Sequence, residues 1–341
     1  MKQTERVVAV DFARIVSMLS VILLHATSGY IFISSKLSLG GIPLGYMINQ
    51  GVRYCVPLFF VLSGLSLELS FRAESVATYL SNRGKKIVLP YLLWTVVYYL
   101  QQMDHFVLHD LLQTIFLGTA APHLYFIVAL VQLYIVYIPL RHWIQSNSYM
   151  VLVTAFFISF FCQWAVYLMV FKTYILPIAV RPYILKTWMP WVFYFVLGMF
   201  LAKKWSIWAK FARKYSMLWI VLSVLFVGFY IIDSHVTNSY DLSVKPVLFI
   251  YVPLIFLCLC GIGEWVSNRQ GLSSVVLFLS KHSMTVFFSH VLILNYLRER
   301  YHLTGNVGMI LLCTLVIVLS ILFSLVYDWV FNRIKRRRLP L

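Results

Sequence analysis

Charge is what this chain has least of. Only 11% of its 341 residues are Asp, Glu, Lys or Arg, against about 25% in an ordinary soluble domain. Acidic groups are scarcer still, 11 against 28 Lys and Arg. With 61% hydrophobic residues and a mean hydropathy of +0.85, too few charges remain to cover a water-soluble fold, which excludes a soluble enzyme and a disordered protein. The 5 cysteines, Cys55, Cys162, Cys258, Cys260 and Cys313, all fall in apolar stretches, which argues against a disulfide scaffold and against a thiolate metal site. Strict alternation of apolar and polar residues is also missing, which excludes an outer-membrane barrel. What is present is a series of continuous apolar runs, so the expected fold is all-α, a polytopic integral membrane protein whose solvent partner is the lipid bilayer.

A run of about 20 apolar residues crosses a bilayer core of roughly 30 Å. Ten candidate spans follow, near 8–33, 44–69, 87–103, 123–140, 149–171, 188–202, 215–233, 244–262, 275–297 and 307–331. Lys and Arg test the count. With both termini inside, 19 basic residues fall in cytoplasmic segments and 7 in outer ones, while Arg14 and Arg53 lie at or within spans. That asymmetry is the positive-inside pattern, and it predicts cytoplasmic N- and C-termini. It also accounts for most of the net charge of +17 without a nucleic-acid partner. No cleavable leader is expected at the N-terminus, since the first apolar run is too long and Asp11 and Arg14 stand at its head. Connections are short and no internal repeat is visible. Residues 1–341 are therefore expected to form a single membrane-embedded domain with no extramembrane domain.

Polar groups inside a bilayer are costly and mark functional sites by default. His25 interrupts the first span near its middle. At about 100° per residue, Arg14 lies only about 20° from His25 and Asp11 about 40° to its other side, so all three share one helical face. An imidazole there suits general-base work on a hydroxyl near neutral pH; the bland alternatives are a histidine bonded to a neighbouring helix and an i,i+3 ion pair between Asp11 and Arg14. In the second span, Pro57 frees a backbone carbonyl and Ser63-Gly64 permits close helix approach. Arg53 and Glu68 near its ends either bind substrate or extend to the two interfaces. A basic cluster, Arg83, Lys85 and Lys86, precedes Pro90-Tyr91 and can hold phosphates as well as set orientation. His105 and His109 sit beside Asp104 and Asp110, but no metal site is assigned. His123, Tyr125 and His290 lie towards the outer ends of their spans, where they either pack or line an acceptor pocket.

Together, Asp11-x-x-Arg14 followed by His25, Pro57-Leu-Phe-Phe-x-x-Ser63-Gly64, the basic pair before Pro90-Tyr91, and Ser280-x-x-Ser283-Met-x-x-Phe-x-x-x-His290 resemble the membrane-bound acyltransferase-3 family. The resemblance runs along the whole chain. It implies transfer of an acyl group, usually acetyl from acetyl-CoA, to a hydroxyl of a cell-surface glycan or lipid-linked sugar. His25 matches the family's essential first-helix histidine and Arg14 the arginine before it. The family's double-arginine motif falls on Arg83 and Lys86, a lysine being a weaker bidentate phosphate ligand. The Leu-Trp-Phe segment reads Leu124-Tyr125-Phe126. On these grounds the chain is expected to be an O-acetyltransferase of a bacterial plasma membrane, acting in polysaccharide biosynthesis. His25 is the expected catalytic base. Arg14, Arg83, Lys85 and Lys86 are the expected acetyl-CoA contacts, and Asp11, Arg53, Ser63, Glu68, His123, Tyr125 and His290 the candidate substrate contacts. The rival expectation is a transporter or flippase for a glycan or lipid-linked intermediate, using Arg53, Glu68 and His25 to bind its cargo.

Overall fold

The computed structural model describes residues 7–32, 38–71, 75–102, 105–171, 180–240 and 244–337. The chain runs through α1 (Val8–Ala26), the short antiparallel strands β1 (Ser38–Leu39) and β2 (Ile42–Pro43), α2 (Leu44–Gly51), α3 (Cys55–Leu69) and α4 (Val76–Arg83). A π-helical turn, Gly84–Val88, leads into α5 (Leu89–Gln102). Then follow α6 (Leu108–Leu117), α7 (Tyr125–Ser146), α8 (Ser148–Leu168), α9 (Arg181–Ile184), α10 (Val192–Ala202), α11 (Trp205–Lys214), α12 (Ser216–Val236), α13 (Leu248–Ser267), α14 (Gln270–Arg300) and α15 (Gly305–Arg337). The protein is an all-α polytopic membrane protein.

Among the described residues, eight helical segments are long and apolar enough to cross a membrane, with α2 and α3 counted together. Two of the ten expected spans differ from that simple form. The stretch 188–202 is a 3-10 turn and α10, bent by 97° from α11; Trp205, Trp208, Lys210, Arg213 and Lys214 make α11 a short amphipathic helix of the interfacial kind. The stretch 87–103 is α5, whose 14 residues rise about 21 Å, less than the apolar thickness, but α4, the π turn and α5 continue one another from 76 to 102.

Prolines explain the irregular points. Pro57 cannot donate to the carbonyl of Arg53 and its ring crowds it, so the helix breaks at residues 52–54 and restarts as α3 with Pro57 in its first turn. The Tyr251 hydroxyl donates to the freed Gly51 carbonyl at 2.6 Å, which removes the cost of an open backbone group in the membrane. Pro90 does the same to Lys86, and the turn before it widens to π geometry. Both devices place a basic residue at an irregular backbone.

The densest contact is between α3 and α10, which run parallel, as the stacking of Phe60 on Trp191 near the start of both shows, and cross through Gly64 and Gly198. A β-carbon on Gly64 would stand 2.0 Å from the Phe195 carbonyl oxygen, and one on Gly198 2.0 Å from that of Val61. Helices this close gain dispersion contacts along their backbones, the main attraction available between helices in lipid. The apolar interior gathers around that crossing and extends through α7 and α13. A second cluster joins α1, α14 and α15. α1 therefore lies between the two clusters, with α3 on one flank and α14 on the other.

Candidate active site

α1 and α14 run parallel, and α3 and α7 run against them, so each end of this group gathers residues from distant parts of the sequence. At the end where α1 begins, Arg14 pairs with Asp11 and donates to Ser66 Oγ on α3 at 2.8 Å and Ser280 Oγ on α14 at 3.2 Å. Ser280 Oγ donates in turn to Asp11 at 2.6 Å. Asp11 is buried and serves this network. Arg14 keeps 26% of its side chain exposed, and what it is exposed to is a cavity of about 340 Å³ lined also by Ser63, Ser66, Arg83, Tyr134, Ser280 and Lys281. The Arg83 guanidinium lies 5.5 Å from the Tyr79 ring and 5.8 Å from the Tyr134 ring, and its Nε is buried without a hydrogen-bond partner. Two arginines from different helices thus converge on one polar cavity, an arrangement suited to an anionic ligand. Lys85 and Lys86 are exposed on the π turn and do not line it.

At the other end of α1, His25 opens on a second cavity of about 200 Å³, with Asn49, Arg53, His123 and Tyr125 among its walls. His25, His123 and His290 form a cluster: ring centres are 6.2 Å apart for His25–His123, 5.4 Å for His25–His290 and 4.8 Å for His123–His290. His290 Nδ1 lies 2.7 Å from the Phe287 carbonyl. A carbonyl only accepts, so Nδ1 carries the proton of the neutral ring and Nε2 is left with a lone pair. That Nε2 and both nitrogens of His123 are buried without partners. Buried polar atoms of this kind are rare in native structures and mark a place where a ligand or water bonds. None of the described His, Cys, Asp and Glu residues group in threes so as to hold a metal ion.

Arg53, at the break before α3, turns inward and donates to Asn49 Oδ1 at 3.0 Å and to the Tyr240 carbonyl at 2.5 Å, so it lines the His25 cavity while bonded to protein. Glu68 takes part in neither cavity. It accepts from Tyr137 at 2.9 Å and pairs with Arg141 at 3.1 Å, tying α3 to α7.

Several site residues are invisible in the local sequence. Tyr98 on α5 donates to the Phe288 carbonyl at 2.6 Å and accepts from the Leu292 backbone N–H at 3.1 Å. Its hydroxyl thus joins two backbone groups four residues apart on α14, on either side of His290, while its ring stands 5.6 Å from His123. Nothing in the stretch around Tyr98 distinguishes it from 21 other tyrosines. Arg298, expected in an outer loop, donates to the carbonyls of His25 at 3.0 Å and Ala26 at 3.2 Å. It caps the C-terminus of α1, where a cation is favoured. Ser66 had no signal beyond its place near Gly64, whereas Ser280 opened a motif already marked in the sequence.

Searches of curated proteins and of solved structures return no match. The family model described as an acyltransferase domain, acyltransferase-3, matches residues 7–329 and so takes in both cavities and nearly the whole chain. With apolar helices around a buried histidine cluster and two arginines converging on the adjoining cavity, the chain belongs to the acyltransferase-3 family and is a membrane acyltransferase.

Proposed function

We propose that the protein transfers an acetyl group from acetyl-CoA to a hydroxyl of a cell-surface or lipid-linked polysaccharide at a bacterial plasma membrane. The observation that carries this is the pair of cavities on one face of α1, one holding Arg14 and Arg83, the other holding His25. The end with the arginines faces the cytoplasm, where acetyl-CoA is made. Arg14 and Arg83 bind CoA phosphates, and Lys85, Lys86 and Lys281 raise the local positive potential. From Arg14 to His25 is eleven residues along α1, about 16 Å, a distance that an extended pantetheine arm can bridge.

The acceptor enters the His25 cavity from the opposite side. As its hydroxyl oxygen attacks the thioester carbonyl, His25 takes the hydroxyl proton. The tetrahedral intermediate then collapses with cleavage of the carbon–sulfur bond, and the leaving CoA thiolate recovers the proton from the His25 imidazolium. The products are an O-acetyl ester and CoA. His290, with only a lone pair at Nε2, accepts a hydrogen bond from His25 N–H or from the acceptor and so orients the base. His123, Arg53 and Tyr125 offer further polar contacts to the sugar.

The test is acetyl transfer in inside-out membrane vesicles supplied with acetyl-CoA, read as CoA thiol release and as O-acetyl content of the glycan fraction. Both should depend on the protein and fall in His25→Ala. Cells lacking the gene should carry fewer surface O-acetyl groups. An unchanged O-acetyl content in those cells would refute the assignment. Sidedness is checked with a cysteine at position 84, where a side chain meets nothing within 4 Å: an impermeant thiol reagent should label it in inside-out vesicles and not in intact cells.

A further inference from the structure

The two cavities share three wall residues and no others: Phe59 of α3, Phe126 of α7 and Phe287 of α14. Their ring centres form a nearly regular triangle, 5.8 Å for Phe59–Phe126, 6.2 Å for Phe59–Phe287 and 5.7 Å for Phe126–Phe287. The middle of such a triangle is about 3.4 Å from each ring centre, no more than one carbon–carbon contact. The partition is closed to a methyl group as it stands, and a ring has to turn before anything passes.

The three rings are not equally held. Phe126 packs against Phe60 at 4.7 Å, and Phe60 stacks on Trp191 at 5.0 Å. Phe287 is braced by His123 at 5.0 Å and Phe288 at 5.6 Å. Both are buried. Phe59 is only half-buried, and its ring contacts among the described residues are the two other members of the triangle. It also stands one turn before Ser63, whose side chain lines the arginine cavity. Phe59 is the member able to move without disturbing a second layer of rings.

We infer that Phe59, Phe126 and Phe287 form an aromatic gate between donor and acceptor cavities, with Phe59 as its moving leaf, and that this gate limits the transferred acyl group to short chains. The inference rests on the donor and acceptor cavities proposed above. No bond changes at the gate; it admits the thioester end of the donor to His25. Beyond it lie only about 200 Å³, below the roughly 300–1,000 Å³ of a pocket for a drug-sized ligand, and part of that must hold the acceptor hydroxyl. A two-carbon acyl group fits such a space behind one displaced ring. A longer chain has either to hold the gate open or to fold against His25, and each extra methylene rejected by an apolar wall changes selectivity by about tenfold or more.

The experiment compares acetyl-, butyryl- and octanoyl-CoA as donors for wild type, Phe59→Ala, Phe59→Leu and Phe59→Trp in the same vesicles, reading thiol release and acyl incorporation. Wild type should favour acetyl. Phe59→Ala should raise the butyryl-to-acetyl rate ratio about tenfold, with Phe59→Leu between the two; Leu keeps the volume of the leaf nearly intact and reports the same ratio if the alanine variant fails to accumulate. Phe59→Trp should slow acetyl transfer while titration calorimetry finds CoA binding at the arginine cavity retained. Acetyl transfer by wild type with the same chain-length ratio in Phe59→Ala and Phe59→Leu overturns the gate alone. A wild-type protein that releases no thiol from any acyl-CoA overturns the donor assignment, and the gate with it.

Discussion

Replacing Gly64 with alanine should strike the α3–α10 crossing harder than any other single methyl group added to α3. The new β-carbon would lie 2.0 Å from the Phe195 carbonyl oxygen, 2.9 Å from its carbon and 3.3 Å from the Met199 nitrogen. To reach ordinary contact the helices must separate by about 1.4 Å locally. The opposing atoms are backbone within a helix, so no rotamer change relieves the clash. Overpacking relieved by side-chain shifts costs about 1–3 kcal/mol, and a rigid backbone wall puts this site at the upper end, about 3 kcal/mol. At roughly 2 °C per kcal/mol for a chain of this size, the melting temperature in detergent should fall by about 6 °C. Activity should fall too, because α3 carries Phe59, Ser63 and Ser66. Gly228→Ala is the control: its β-carbon meets nothing within 4 Å, and alanine is the better helix former by up to about 1 kcal/mol. Equal melting temperatures for Gly64→Ala and Gly228→Ala would refute the close-crossing account. Gly198→Ala strains the same contact, so the double variant should lose less than the sum of the two single losses.

Other outcomes follow from the site. His25→Ala should insert and accumulate normally, yet lose acyl transfer by about a hundred- to ten-thousand-fold, the usual worth of a general base; near-normal O-acetylation would end the mechanism. Arg83→Ala should raise the KM for the CoA donor and leave a shallower salt dependence, since one ionic contact is gone. Lys85→Ala, at an exposed position outside the cavity, should change KM much less, and equal effects would place the phosphates outside the cavity. Tyr98→Phe removes the hydroxyl that joins the Phe288 carbonyl to the Leu292 N–H. Because those two groups can then bond each other along the helix, the melting temperature should change by no more than the worth of about one hydrogen bond, about 1 kcal/mol. kcat should nonetheless fall, because α14 moves His290 as it closes; unchanged kcat would remove Tyr98 from the positioning of the histidine cluster.

The sequence by itself determined the medium, the helical class and the family. These depend on sums and on local spacing: apolar runs long enough for a bilayer, the scarcity of charge, and motifs within single helices such as Asp11-x-x-Arg14 and Ser63-Gly64. The shared face of Arg14 and His25 was legible for the same reason, since helical periodicity fixes it without reference to any neighbour. Which polar residues meet was not legible. Glu68 and Arg53 looked alike as charges at the two ends of one span, yet Glu68 is tied up with Arg141 and Tyr137 while Arg53 borders the His25 cavity. Lys85 and Arg83 are two residues apart in one basic cluster, yet Arg83 at the end of α4 lines the cavity while Lys85 on the π turn is exposed outside it. The meeting of His25, His123 and His290, separated by 98 and 167 positions in the chain, depends on how α1, α7 and α14 pack. So do the Tyr98 contact with α14 and the three phenylalanines between the cavities. Helix packing in lipid is settled by small residues and complementary surfaces far apart in sequence, and no local pattern encodes which side chains it will bring together.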